Sequence, residues 1–123
     1  MRVSYAIVFV SDMRRSVSFY RDLIGLPLRF ETPGWSEFAT DGATFALHVS
    51  GSAHGDASDS TIESAGRCRP GFTVPNLEEF HQTMIAKGVK CLQEPRQTFG
   101  AWIAQYADPD GLVLSVSEER KND

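Results

Sequence analysis

With 123 residues, 41% hydrophobic and 23% charged, the chain has an ordinary globular composition and can bury a core without metal or disulfide staples. A net charge of −4, a pI near 5.3 and no basic cluster beyond Arg14-Arg15 argue against a nucleic-acid partner, whose binding would need a basic face. No apolar run reaches membrane-spanning length, and the apolar start meets Asp12 too soon for a signal peptide. No membrane partner is therefore expected, and the expected compartment is the cytoplasm, where Cys68 and Cys91, without metal or redox spacing, stay reduced.

Residues 3–10 form a β-rich run in which Tyr5, Ile7 and Phe9 share one face and Ala6, Val8 and Val10 the other. Both faces are apolar, so the strand should be covered on both sides. Asp12 suits a helix N-cap, and Met13, Val17, Tyr20 and Ile24 follow with helical spacing, widened by Phe19 and Leu23. Gly25 ends that helix in a left-handed cap, and Pro27 prevents its resumption. A strand over 28–32 precedes a hairpin, 35–40 and 43–50, around Asp41-Gly42.

Residues 51–67, rich in Gly, Ser, Ala and Asp, read as a linker, either a plain connector or a segment over the mouth of a cleft. A strand at 71–74 opens the second unit, with Pro70 suited to its start. Asn76 and Glu79 have capping-box spacing, and Leu77, Phe80, His81, Met84 and Ile85 form the buried stripe of a helix ended by Gly88. A strand over 89–93 is expected to break at Glu94-Pro95. A last hairpin, 100–107 and 112–117, turns around Asp108-Pro109-Asp110-Gly111.

The order is thus β-α-β-β-β twice, with a period of roughly 63 to 69 residues, too few copies for a solenoid. This predicts an α+β fold with each helix on the outer face of its own sheet. Two open sheets facing one another would leave a cleft for a ligand. The chain is read as one domain, 1–123: module one about 1–50, linker about 51–67 and module two about 68–120.

That order, with SDMRRSVSFYRDLIGL in the first unit and FGAWIAQYADPDGLVLSVSE in the last, resembles the vicinal oxygen chelate superfamily of glyoxalase I, bleomycin-resistance and extradiol dioxygenase proteins. The resemblance implies paired βαβββ modules, a half-open, barrel-like sheet around a cavity, and a homodimer. Open sheet edges and apolar faces that a second copy can cover point to the same assembly.

In metal-dependent members four inward strand positions carry His, Glu, His and Glu. Carried over position by position, these fall on Tyr5, Ala46 (with His48 two residues on), Arg69 and Ser115. Tyr, Ala, Arg and Ser cannot chelate a divalent ion, and a guanidinium repels one, so no metal ligands and no cofactor are expected.

Trp35 and Trp102 occupy roughly matching places and offer stacking area, or else serve as core or interface aromatics. Tyr5 belongs to an apolar wall with one hydroxyl. Arg69 calls for an anion, either on a ligand or on an internal acid such as Glu37. The expected ligand-lining residues are Tyr5, Phe38, His48, Arg69, Trp102 and Ser115. His48 is the one catalytic candidate, although a lone strand histidine is more often simply hydrogen-bonded.

The function expected is metal-independent binding of a partly aromatic, anionic small molecule. One alternative is a glyoxalase-like lyase or isomerase, or a dioxygenase-related enzyme, with an atypical site; there a divalent metal would return. Another is a regulatory protein whose cleft is filled by Trp102, Phe38 and Arg69.

Overall fold

The computed structural model describes residues 1–50, 65–66 and 68–120 and divides into two compact units, Met1–Ser58 and Asp59–Asp123. The expected linker, 51–67, lies outside the described residues apart from Ala65 and Gly66.

In the first unit β1 (Tyr5–Val10) leads to α1 (Met13–Ser18), then to β2 (Leu28–Glu31), β3 (Trp35–Phe38) and β4 (Thr44–Val49). The sheet order is β1-β4-β3-β2, with β1 parallel to β4 and the other pairs antiparallel. Val8 and Val10 of β1, Phe45 and Leu47 of β4 and Phe38 of β3 are buried together with Met13, Val17 and Tyr20. Tyr20 anchors this core, with its ring centroid 4.9 Å from Phe45 and 6.2 Å from Phe38. Asp12 caps α1 as expected, accepting from the Arg15 amide at 3.1 Å.

The helix departs from expectation beyond Ser18, where Phe19–Ile24 form a π-helical turn. Phe19 and Tyr20 are both buried in this wider turn, as Ser16 and Val17 are in α1 before it. Gly25, at φ 96°, closes it with its amide donating to the Tyr20 carbonyl at 3.1 Å.

The second unit repeats the plan: β5 (Gly71–Val74), α2 (Leu77–Ala86), β6 (Cys91–Thr98), β7 (Ala101–Ala107) and β8 (Val113–Glu118), in sheet order β5-β8-β7-β6. Asn76 accepts from the Glu79 amide at 3.0 Å and donates to the Glu79 carboxylate at 3.2 Å, while Glu118 of β8 takes the Leu77 amide at 3.0 Å. Two of the backbone amides at this helix start are thereby satisfied. The Asp-Pro-Asp-Gly turn is built on Asp108, buried, whose Oδ1 accepts from the Asp110 and Leu112 amides at 2.9 and 2.8 Å.

The strand expected to stop before Glu94-Pro95 instead continues to Thr98. Proline survives there because β6 is at the edge of its sheet and because register shifts between Cys91 and Gln93 and between Gln93 and Arg96 absorb its missing donor. Phe99 and Gly100, with φ of 54° and 78°, form the two-residue turn into β7. Positive φ at both central positions favours Asn-Gly, and phenylalanine stands at a strained place with its side chain 95% exposed. Phe99→Asn is expected to raise stability by about 1 kcal/mol in thermal unfolding. A melting temperature at or below the parent's would mean that the exposed ring stabilises the fold.

Among the described residues no helix is long and apolar enough to cross a membrane.

Candidate functional site

Each sheet packs one face on its helix, and the opposite face is where side chains remain available. In the first unit, register places Tyr5 beside Thr44, Ile7 beside Ala46 and Glu37, and Phe9 beside His48 and Trp35 on that open face. Tyr5, Ile7 and Phe9 are 47%, 47% and 64% exposed, although β1 was expected to be covered on both sides. Their rings are nonetheless organised: Tyr5 lies 6.2 Å from Trp35, Trp35 5.9 Å edge-on to His48, and His48 5.4 Å from Phe9. Such tilted contacts hold each ring while leaving the outer π-surface for a further planar group.

Glu37 fixes the centre of this wall. Its Oε2 accepts the Trp35 indole N–H at 2.9 Å, and its Oε1 meets Arg29 Nη1 at 3.3 Å. Its side chain is only 12% exposed, while that of Arg29 is 47% exposed. Nη1 also reaches Thr44 Oγ1 at 3.3 Å. Glu37 thus locks the indole plane, and Arg29 balances its charge while keeping much of its guanidinium in solvent. His48 Nδ1 lies 2.7 Å from the Val49 carbonyl, so it carries the proton, and in the neutral ring Nε2 is left as an acceptor.

In the second unit Ser115 lies on the open face, beside Gly71 and Gln105, and Gln105 beside Gln93. Arg69 is half-buried just before β5, next to Pro70, whose carbonyl accepts the Ser115 amide at 3.0 Å.

Two expected ligand-lining residues are corrected. Phe38 is fully buried on the helix side of the first sheet, with Phe45 at 6.1 Å as well as Tyr20, so it is core. Trp102 shares its face with Ala104 and Tyr106, the side on which Tyr106 bonds His81 of α2, and is turned away from Ser115. The strand position matching Trp35 is Ile103: Trp35 pairs with β4 at His48, and Ile103 pairs with β8 at the equivalent Ser117. An offset of one residue moves a strand side chain to the opposite face.

Sequence reasoning missed Arg29 as part of the face, and also Gln93, Gln105 and Ser117. Alternation from Trp35 would have found Glu37 and excluded Phe38. The bulge between Leu28 and Phe30 that brings Arg29 over Glu37 has no comparable signature. His81, without an evident partner in the sequence, is buried and bonds Tyr106 Oη at 2.8 Å. An open depression of ≈430 Å³ bounded by Asp12, Met13, Arg14, Glu31, Thr32 and Pro33 flanks the start of α1, apart from the aromatic wall.

The donor set at the four carried-over positions does not fit a divalent ion. The first unit offers a phenol and a methyl group (Tyr5, Ala46), and the second a guanidinium and a hydroxyl (Arg69, Ser115). Among the described residues no three His, Cys, Asp or Glu side chains come together in a metal-binding group.

A duplicated βαβββ unit with open mixed sheets defines an α+β protein of the paired-module class. The family model of the Glyoxalase/Bleomycin resistance protein/Dioxygenase superfamily matches residues 2–116, and the chain belongs to that superfamily. It is similar to the protein YraH of Bacillus subtilis (strain 168), 25% identical over 129 residues, covering 94% of this chain and 97% of YraH. Among solved structures, its fold is similar to TnmS3, an antibiotic-binding protein from Streptomyces sp. CB03234: 22% identity, TM-score 0.73, covering 98% of this chain and 97% of that one. A lactoylglutathione lyase from Agrobacterium tumefaciens shares the fold at 19% identity and TM-score 0.73, covering 94% and 92%. The same fold thus occurs in an antibiotic-binding protein and in an enzyme.

Proposed function

We propose that the protein binds a small molecule without a metal, holding the aromatic part of a partly aromatic, anionic ligand on the open face of the first sheet. The observation that carries this is the wall of Tyr5, Phe9, Trp35 and His48 around Glu37, with the indole orientation fixed by a carboxylate. A planar group stacks on Trp35, and a ligand carboxylate at the rim meets the solvent-facing part of Arg29. The antibiotic-binding role of TnmS3 is carried by the same fold, which supports a binding reading.

The test is a fluorescence titration with 1-naphthoate, made in a Trp102→Phe background so that Trp35 is the sole reporter. Saturable quenching is expected, weakened about tenfold in Trp35→Leu followed by ring chemical shifts. Arg29→Gln should weaken naphthoate more than uncharged 1-naphthol. No quenching and no thermal stabilisation by any of a panel of aromatic acids and aromatic antibiotics would end the reading.

An enzymatic reading rests on His48, whose Nε2 is placed to accept a proton. It requires either acid–base work by His48 with Tyr5 or a metal held by an unforeseen ligand set. Elemental analysis of protein purified without chelator separates it: near-stoichiometric Zn, Ni, Mn or Fe would favour the enzyme. The working form proposed is a cytoplasmic homodimer, and sedimentation as a monomer at micromolar concentration would contradict it.

A further inference from the structure

The open face of the second sheet has a different chemistry from the first. Gln93, Gln105 and Ser115 stand opposite one another across β6, β7 and β8, and the row ends at Gly71, which places no side chain over it. The next row is Thr73, Ser117 and Ile103, where Thr73 Oγ1 and Ser117 Oγ lie 3.5 Å apart. Arg96, opposite Ile103 on the edge strand, is exposed. The Gln-Gln-Ser row itself is uncharged.

All three of its side chains are half-buried, not fully solvated. Gln93 donates to the Ile103 carbonyl at 3.4 Å, leaving its own carbonyl oxygen uncommitted. Among the described residues the side chains of Gln105 and Ser115 make no hydrogen bond, yet neither has a polar atom sealed from contact. Half-buried amides and hydroxyls that solvent still reaches have their uncommitted donors and acceptors available to a ligand that displaces water.

The internal duplication sharpens the contrast. Gln105 occupies the position of Glu37, and Ser115 that of Ala46. In the first unit the carboxylate is already engaged by Trp35 and Arg29. In the second, the amide of similar shape carries no charge and is not engaged.

We infer that the Gln93-Gln105-Ser115 row is a hydrogen-bonding site on the second sheet for an uncharged group that offers donors and acceptors together, a sugar or an amide. The inference rests on the small-molecule reading above for the class of ligand and concerns the second unit's sheet alone. The row itself carries no charge, so its amides and hydroxyl suit a neutral group, whereas an anionic one would have to reach Arg69 or Arg96 beside it. The mixed amides and hydroxyl match a group that both gives and takes hydrogen bonds.

The test uses the full-length, isotope-labelled protein and NMR of its side-chain amides, with N-acetylglucosamine and N-acetylglycine methylamide as separate probes. Saturable shifts of the Gln93 and Gln105 amide resonances are expected with at least one probe, and which of them acts distinguishes sugar from amide. Gln105→Leu should weaken that response about tenfold, and the milder Ser115→Ala about threefold, which keeps the test valid if the first variant folds poorly. Shifts that fail to saturate with both probes, or that persist unchanged in the variants, overturn the site. The Trp35 indole resonance, followed with 1-naphthoate in the same samples, reports on the first sheet alone. Loss of that response with intact Gln105 shifts would remove the aromatic reading and leave the polar site standing.

Discussion

Phe38→Ala should cost about 3–5 kcal/mol of unfolding free energy and leave the affinity for 1-naphthoate unchanged in whatever protein remains folded. The ring is fully buried, between Tyr20 at 6.2 Å and Phe45 at 6.1 Å. Tyr20 also contacts Phe19 at 5.0 Å, so truncating Phe38 opens a void in a continuous aromatic cluster. A domain of this size is stable by only about 5–15 kcal/mol, so the variant should sit near the edge of folding. Urea denaturation measures the loss. Phe38→Leu, which keeps most of the volume, should stay folded enough for the titration. If Phe38→Ala unfolds within about 1 kcal/mol of the parent while naphthoate binding weakens, Phe38 belongs to the ligand face after all.

The contrast between Phe38 and Trp35 shows what could be read from sequence. Both belong to β3, and strand alternation alone separates them: Trp35 and Glu37 face one way, Ser36 and Phe38 the other. The two-unit plan was legible because caps, glycines and turns are local signals. Asp12 and Asn76 cap their helices, Gly25 ends the first, and Asp108 folds its own turn, all where the residues suggested. Tyr5, Ile7 and Phe9 likewise share the face foreseen for them.

What failed was register. Matching Trp102 to Trp35 was one residue out, and in a strand that is a change of face. The bulge that recruits Arg29, the path of β6 through Pro95 and the π-helical turn at Phe19–Ile24 were equally hidden. Each depends on how neighbouring strands or helix turns accommodate an extra residue, which a single strand's pattern does not encode. The polar row of the second sheet was missed for the same reason: it exists only once β6, β7 and β8 are aligned.

Stability should fall as pH rises above about 10, and Tyr106 should account for a separable share of the loss. Tyr106 is fully buried, and burial pushes its hydroxyl well above the ordinary tyrosine value, with smaller contributions from Cys91 and Glu78. A phenol whose folded pKa is raised keeps its proton in the native state while the unfolded chain gives it up. Its stabilising contribution is therefore complete below the unfolded value near 10 and is lost as pH climbs toward the folded value. The slope is up to about 1.4 kcal/mol per pH unit in that window.

The same hydroxyl is the partner of His81 Nδ1 at 2.8 Å, so Tyr106→Phe also leaves a buried ring nitrogen unpaired, a cost of about 1–3 kcal/mol at neutral pH. The two effects have opposite pH signatures. Denaturation curves of parent and Tyr106→Phe should differ most at pH 7 to 9 and converge above 10, because the variant has no buried phenol to ionise. Lysines and cysteines titrate in the same range but are common to both proteins and cancel in the comparison. Curves that stay parallel to pH 12 would show that the hydroxyl ionises as readily in the folded protein as in the unfolded chain, and curves that coincide at neutral pH would remove the buried His81–Tyr106 pair.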